Sequence, residues 1–160
     1  MSAVHTGTVA WARGDAPFVD RRYPRAHRWS FDGGATVAAS SSPHVVRVPL
    51  SDPAAVDPEE AYVTALASCH MLWFLDLAAQ AGFVVDRYVD EAEGAMGRDA
   101  EGRDWVERVT LRPDVVFSGG KATDDATVDD LHHRAHASCF LANSVRSTIV
   151  VEGRWHHAAS

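Results

Sequence analysis

One stretch of the chain, residues 57–82, constrains the fold more than any other. It opens with Asp-Pro-Glu-Glu at residues 57–60, a strong helix start in which the aspartate can cap, the proline fits the first turn and the second glutamate completes a capping box. The predicted helix runs to Ala81, Gly82 ends it, and Asp76 is its only charge after residue 60. Because apolar residues occupy nearly every face, we expect a central helix that is buried on most sides.

The segments on both sides of this helix predict mainly strands. Alternating or turn-bounded patterns predict strands over 4–11, 28–31, 35–38, 88–96, 105–117 and 148–155, and helical spacing predicts a second helix over 124–143. A chain of 160 residues is long enough to bury one core. The predicted fold class is therefore α+β, with a single domain over residues 1–160.

Charge and composition exclude several classes of partner. The chain has 22 acidic and 15 basic residues, a net charge of -7, and Lys121 as its one lysine. Such a surface disfavours nucleic acids and anionic membranes. The N-terminus lacks the basic and apolar regions of a secretory signal, and the longest apolar run, residues 71–75, ends at Asp76. We therefore expect a cytoplasmic protein with no nucleic-acid or membrane partner.

Two cysteines are the most informative residues for chemistry. Cys69 lies in Ala-Ser-Cys-His and Cys139 in Ala-Ser-Cys-Phe, so only one intramolecular pairing is possible. In a reducing cytosol a permanent disulfide is disfavoured. The two thiols are therefore either inert core residues or transient redox partners, and composition alone does not choose between them.

The sequence around these cysteines resembles the OsmC/Ohr family of thiol peroxidases. The resemblance rests on Asp-Pro-Glu-Glu followed by a small-residue helix into Ala67-Ser68-Cys69, and on residues 136–139 with Asn143-Ser144. It implies an intertwined OsmC-like homodimer that reduces organic hydroperoxides without a metal or organic cofactor. By position it implies that Cys69 is the peroxidatic thiol, Cys139 the resolving thiol and Glu59 the acidic partner.

An arginine completes the chemistry that the resemblance implies. A mid-helix cysteine in apolar surroundings has a raised pKa, so a fixed cation is needed to hold the thiolate and the peroxide oxygen. A carboxylate such as Glu59 would orient and balance that buried charge. The loop over residues 14–27 and its end offer four candidates, of which we favour Arg25; the others are Arg21, Arg22 and Arg28.

The spacing of Glu59 and Cys69 bears on the assembly. Ten residues of straight helix separate them by about 15 Å along the axis and by about 80° around it. The two side chains cannot meet on one straight helix. We therefore hypothesise that the Glu59 serving a given Cys69 comes from another copy of the chain, at a dimer interface.

Four apolar or aromatic residues lie within reach of the two cysteine turns. We expect Tyr62, Leu66, Trp73 and Phe140 to form a pocket for an alkyl chain, which favours organic peroxides over hydrogen peroxide. Phe140 also stands where many OsmC/Ohr members have a proline. After attack, a Cys69 sulfenic acid would condense with the second thiol, and a cellular dithiol, lipoyl-type or a small thiol, would reduce the disulfide.

Three other functions stay open on the sequence. One is a non-catalytic member of the same fold that binds a small apolar ligand. Another is a metal-dependent hydrolase using His136 and Cys139, since imidazole and thiolate at helical i and i+3 spacing can share a metal. The third is a Cys-His acyl-transfer enzyme. We interpret the neighbouring His132 and His133 as a solvated polar face of the helix.

Overall fold

A computed structural model describes residues 3–158, and the chain divides into two compact units, Met1–Ala61 and Tyr62–Ser160. The first unit contains three strands, and the second contains six strands and a second helix. A long helix begins in the first unit and continues into the second. The expectation of a single domain over residues 1–160 stays a prediction.

The first unit is built on a three-stranded antiparallel sheet. Its strands are β1 (Gly7–Ala10), β2 (His27–Phe31) and β3 (Thr36–Ala39), with β2 in the middle. Gly34 adopts a φ of 88° in the turn between β2 and β3, a conformation that favours glycine. The predicted hairpin is confirmed, whereas the predicted strand over 4–11 is shorter.

The long helix α1 (Pro58–Gln80) begins as predicted and ends within one residue of the prediction. The backbone N–H of Glu60 donates to Asp57 Oδ1 at 2.8 Å, and the N–H of Asp57 donates to Glu60 Oε2 at 3.0 Å, which completes the capping box. The helix ends at Gln80, one residue before the predicted Ala81, and Gly82, with a φ of 79°, lies in the turn that follows. Local sequence chemistry therefore fixes both ends of α1.

Helix α1 contributes to two apolar clusters in the second unit. Its C-terminal half supplies Phe74, Leu77 and Ala78 to the first cluster, and its N-terminal half supplies Val63, Leu66 and Ala67 to the second. The opposite side, which includes Leu72 at 61% exposure, is open to solvent within a single chain. The helix is long and apolar enough to cross a membrane, but core helices of soluble proteins share that property.

The six strands of the second unit form two mixed three-stranded sheets. The strands are β4 (Val84–Asp90), β5 (Glu93–Arg98), β6 (Asp104–Leu111), β7 (Pro113–Ser118), β8 (Thr148–Val151) and β9 (Arg154–His157). One sheet has the order β4-β7-β9 and the other β5-β6-β8; in each the last strand is parallel to its neighbour. The predictions of one continuous strand over 88–96, over 105–117 and over 148–155 are therefore wrong. Each of these segments forms two strands, and the two belong to different sheets.

The three divisions lie at one level of the paired strands, where the three chain segments contact one another. Pro113 follows Arg112 at the break between β6 and β7, and Gly153 lies at the break between β8 and β9. Arg112 donates its backbone N–H to Asp90 Oδ1 at 2.7 Å and forms ion pairs with Glu93 and Glu152. Arg112, which lies where β6 ends and β7 begins, thus connects all three chain segments that pass from one sheet to the other.

The second helix, α2 (Asp125–Ser138), is shorter than predicted. Asp124 caps it by accepting a hydrogen bond from the backbone N–H of Thr127 at 2.8 Å. Cys139 has an extended backbone and forms the C-cap, so the prediction that both cysteines lie within helices is wrong for this residue. A short 3₁₀ turn, Ala142–Ser144, follows. The apolar face of α2 packs into the first cluster through Val128, Leu131 and Ala135.

Candidate active site

The two cysteine sulfurs are in contact in the second unit. Cys69 is half-buried on α1, and Cys139 is 1% exposed at the end of α2. Their Sγ atoms are 2.7 Å apart, with Cys139 as the donor, and both cysteines are free. The tertiary structure thus brings together two cysteines that are 70 residues apart in the sequence.

The surroundings of Cys139 make the two thiols chemically unequal. Burial, followed by the hydrogen bond to Cys69, raises the pKa of the Cys139 thiol to about 11. Cys139 is therefore a protonated thiol at neutral pH and can donate its S–H to the other sulfur. The more accessible Cys69 is the sulfur positioned to accept that hydrogen bond.

A compact turn holds Cys139 in place. Its backbone N–H donates to the carbonyl of His136 at 3.2 Å, and its sulfur accepts the N–H of Ala142 at 3.4 Å. Asn143 donates its Nδ2 to the carbonyl of Ala137 at 2.9 Å. These bonds connect the turn to the last residues of α2, so the cysteine position follows the helix.

The four predicted pocket residues lie in two environments. Trp73 and Phe140 meet edge to face, with ring centroids 5.5 Å apart, and Phe140 is 71% exposed. Leu66 is buried in the second cluster, against which Tyr62 packs while its hydroxyl lies 2.8 Å from Ser147 Oγ. The four residues thus do not line one pocket within a single chain. Trp73 and Phe140 form an aromatic pair, whereas Leu66 faces the sheet and packs in the core with Tyr62 against it.

The first unit holds an aromatic cavity that the sequence analysis missed. The cavity has a volume of about 490 Å³, and its lining includes Arg25 and Glu59. Three further lining residues, Trp11, Phe18 and Tyr23, form an aromatic group in which Phe18 stacks on Tyr23 at 4.7 Å. All three rings lie in the loop segment between β1 and β2 without a periodic pattern, so the sequence offered no signal for the group.

Arg25 differs from the other three candidate arginines. Arg21, Arg22 and Arg28 are exposed, whereas Arg25 is half-buried. Its guanidinium lies over the ring of Tyr23, 3.7 Å from the centroid, and donates to the carbonyls of Arg21, at 3.0 Å, and of Tyr23. A guanidinium fixed in this way presents its charge to the cavity that Glu59 also lines.

The interpretation of His132 as a solvated residue is wrong. Its side chain is 6% exposed, and its Nδ1 lies 3.0 Å from Nε2 of the buried His70. His133, its neighbour, is exposed as expected. The signal was present in the sequence, because residue 132 is one turn beyond the apolar Val128 and borders the stripe that α2 packs against the core.

The histidines and cysteines do not assemble a preformed metal site. Within residues 3–158, no group of three or more His, Cys, Asp or Glu side chains is arranged to hold a metal ion. His136 and Cys139 therefore lack a third protein ligand of this kind in the described part of the chain. The metal-dependent hydrolase receives no support from this arrangement.

Comparison with known proteins identifies the family of the chain. The family model described as OsmC-like protein matches residues 51–153. The chain belongs to the OsmC-like family. An OsmC-like protein of unknown function from Vibrio cholerae O1 biovar eltor is 49% identical, with a TM-score of 0.93, over 96% of this chain and 100% of that one. No curated protein matches the chain.

More distant solved structures share the OsmC-like fold. An organic hydroperoxide resistance protein from Elizabethkingia anophelis is 15% identical, with a TM-score of 0.64, over 99% of this chain and 100% of that one. A putative organic hydroperoxide resistance protein from V. cholerae, with captopril bound in one of its active sites, is 18% identical, with a TM-score of 0.64, over 97% and 94%. These matches confirm the α+β fold expected from the sequence.

Proposed function

We propose that this protein is a thiol peroxidase that reduces organic hydroperoxides through Cys69 and Cys139. The observation that carries the proposal is the contact between the two sulfurs, 2.7 Å apart, with the buried one as a protonated thiol. A donor in this position stabilises negative charge on the accepting sulfur. Family membership, and fold relatives described as organic hydroperoxide resistance proteins, support the same reaction.

The reaction proceeds in three balanced steps. The Cys69 thiolate attacks one peroxide oxygen, the O–O bond breaks, and the alkoxide leaves and takes a proton to become an alcohol. The resulting sulfenic acid condenses with the Cys139 thiol, which forms the S–S bond and releases water. A dithiol reductant then cleaves the disulfide by exchange and restores both thiols. Burial protects the second thiol from oxidation until the sulfenic acid forms beside it.

Arg25 and Glu59 are proposed to bind and polarise the peroxide. The guanidinium is held by carbonyls and by the Tyr23 ring, so its orientation is fixed before substrate arrives. The aromatic lining of the same cavity favours a hydroperoxide with a bulky apolar group. In keeping with the helix geometry, we propose that the cavity of one copy serves Cys69 of another copy in a homodimer.

We also propose that the protein is a homodimer, that it is cytoplasmic and that a dithiol or a small thiol reduces it. Two large apolar side chains that a single chain leaves exposed, Leu72 on α1 and Phe140 beside the cysteines, support a second copy as partner. A transient disulfide requires an environment that reduces it after each turnover, which supports a cytoplasmic location. The reductant is then a cellular dithiol of the lipoyl type or a small thiol.

The cysteine roles are tested with single substitutions and cumene hydroperoxide. Cys69→Ser should abolish peroxide consumption, because the nucleophile is lost. Cys139→Ser should consume about one equivalent per chain in forming the Cys69 sulfenic acid and then, more slowly, a second equivalent that oxidises it to sulfinic acid, because the sulfenic acid has no thiol to condense with. Stopped-flow kinetics and mass spectrometry of the products measure both. Equal turnover in wild type and both variants would refute the proposal.

The arginine is tested with a matched pair of substitutions. Arg25→Lys keeps the charge but loses the planar geometry, so we expect kcat/KM for cumene hydroperoxide to fall by about 10²-fold. Arg28→Lys changes an exposed arginine of the same sheet region and should stay within about twofold of wild type. A larger loss in Arg28→Lys than in Arg25→Lys would transfer the role to the other arginine.

A ligand-binding protein without turnover is the second candidate. The aromatic cavity of about 490 Å³ favours it, because a cavity of this size can bind a small apolar molecule with no chemistry at the cysteines. The two candidates differ in the Cys69→Ser variant. Binding of an apolar fluorescent probe that survives this substitution, together with no peroxide consumption by wild type, would favour the second candidate.

A further inference from the structure

A hydrogen bond between two buried histidines links the helices that carry the cysteines. His70 on α1 is 1% exposed, and its Nε2 lies 3.0 Å from Nδ1 of His132 on α2. The ring planes are within 13° of parallel. Burial lowers the pKa of both rings to about 4, so both are neutral at pH 7 and one donates to the other.

The histidine bond and the cysteine contact join the same two chain segments. His70 directly follows Cys69, whereas His132 precedes Cys139 by seven residues. Seven residues are close to two helical turns, so residue 132 and the C-cap of α2 lie on the same face. The N–N and S–S contacts are therefore two separate polar points at which this face of α2 meets α1.

The residues packed around His132 restrict the orientation of its ring. Phe74 stacks on the ring with centroids 4.3 Å apart, and a Cβ at Gly153 would lie 3.1 Å from Nε2. The outer nitrogens, Nδ1 of His70 and Nε2 of His132, are buried without a partner in residues 3–158. Sliding or rotating α2 would leave the inner two nitrogens unpaired as well, which is costly in the interior.

The apolar contacts between α1 and α2 define the position of α2 less strictly than the hydrogen bond between His70 and His132 does. The same interface contains Phe74, Leu131 and Ala135, whose burial stabilises the contact without a preferred direction. A buried hydrogen bond between two rings has one geometry, and breaking it has a defined cost. The histidine pair therefore selects one arrangement of α2 from those that the apolar contacts allow.

We propose that His70 and His132 are positioning residues that fix α2 against α1 and thereby hold the Cys139 thiol in contact with Cys69, which sets how readily the disulfide forms. The pair acts through helix placement and does not touch the peroxide. The identity of the physiological oxidant depends on the proposed function. The effect of the histidine pair on disulfide formation does not depend on it.

The test measures disulfide formation at equilibrium with glutathione, which requires no peroxidase activity. In this exchange the Cys69–Cys139 S–S bond forms, glutathione disulfide is cleaved, and two electrons and two protons pass to two glutathione molecules. The variants are His70→Leu, His132→Leu and the double variant. His133→Leu, an exposed neighbour on α2, is the matched control.

We expect the equilibrium constant to fall by about tenfold in both single variants and in the double variant, because the buried hydrogen bond is lost. The control should stay within about twofold of wild type. The double variant is decisive, because replacing both partners by apolar side chains removes the unpaired nitrogens and preserves folding. A folded double variant with a wild-type equilibrium constant would overturn the proposal.

A second measurement connects the pair to the proposed reaction. With cumene hydroperoxide, the first oxidation of Cys69 in a Cys139→Ser background should be unchanged by the histidine substitutions. With both cysteines present, the ratio of sulfinic acid to disulfide should rise in the histidine variants. If wild type does not react with peroxide, the proposed function fails while the glutathione equilibrium still decides the positioning role. An unchanged ratio in the folded double variant would contradict that role.

Discussion

At the scale of single residues, the chemistry depends on an inequality between two identical functional groups. Cys139 is enclosed at the end of α2, where burial raises its pKa to about 11, whereas Cys69 is partly accessible. A thiol that stays protonated and buried is a poor first nucleophile but a good donor to its neighbour. The order of attack that the resemblance implies is therefore consistent with the surroundings of each sulfur.

This inequality predicts selective alkylation. With iodoacetamide at pH 8, Cys69 should react first and Cys139 should stay unmodified, because its thiol is protonated and shielded. Mass spectrometry of digested protein measures the order. In Cys69→Ser, Cys139 should stay slow until the pH approaches 11 or the protein unfolds. Faster modification of Cys139 in native protein would contradict the assignment.

At the scale of elements, α1 is the component around which the second unit is organised. Its two halves serve two apolar clusters, one for each sheet, and its middle carries both Cys69 and His70. The capping box at Asp57 fixes where the helix begins and therefore which residues face each cluster. The contact with α2 adds a buried pair of neutral histidines to this arrangement.

The histidine pair predicts acid sensitivity. Both pKa values fall from an ordinary 6.5 to about 4 on folding, so the unfolded chain binds more protons between these values and stability decreases as the pH falls from about 6.5 towards 4. The effect is on the order of a few kcal/mol in total. Thermal melts from pH 7 to 4.5 should show a smaller decrease in Tm for His70→Leu/His132→Leu than for wild type, and equal decreases would refute this.

The capping box predicts a local loss of stability. Asp57→Ala removes the acceptor for the Glu60 N–H and should lower the free energy of unfolding by about 1 kcal/mol. Asp57→Asn retains an acceptor at the cap and serves as control, with a smaller loss. Urea denaturation of both variants measures the difference. Equal losses would indicate that charge at the helix start, and not the acceptor, carries the effect.

At the scale of the whole molecule, a single chain leaves apolar surface exposed. Leu72 on α1 and Phe140 beside the cysteines are both more exposed than residues of this type usually are. A second copy of the chain that covers the side of α1 would bury this surface. This exposure supports the proposed homodimer.

The dimer predicts the effect of one charge on that side of α1. Leu72→Glu should convert a dimer into a folded monomer, because an unpaired carboxylate would be buried at the interface. His133→Glu places the same charge on exposed α2 and should leave the dimer intact. Light scattering coupled to size exclusion gives the mass, and circular dichroism reports folding. A monomeric wild type at micromolar concentration would contradict the dimer.

The sequence by itself determined the elements whose signals are local: both ends of α1, the hairpin of the first unit and the family motif around Cys69. It did not determine where strands change sheets, because Arg112 and Gly153 act through contacts with distant segments. Only the tertiary structure brought the two sulfurs together and buried His132. These features depend on how α1 and α2 pack, and packing is decided by long-range complementarity that no single segment encodes.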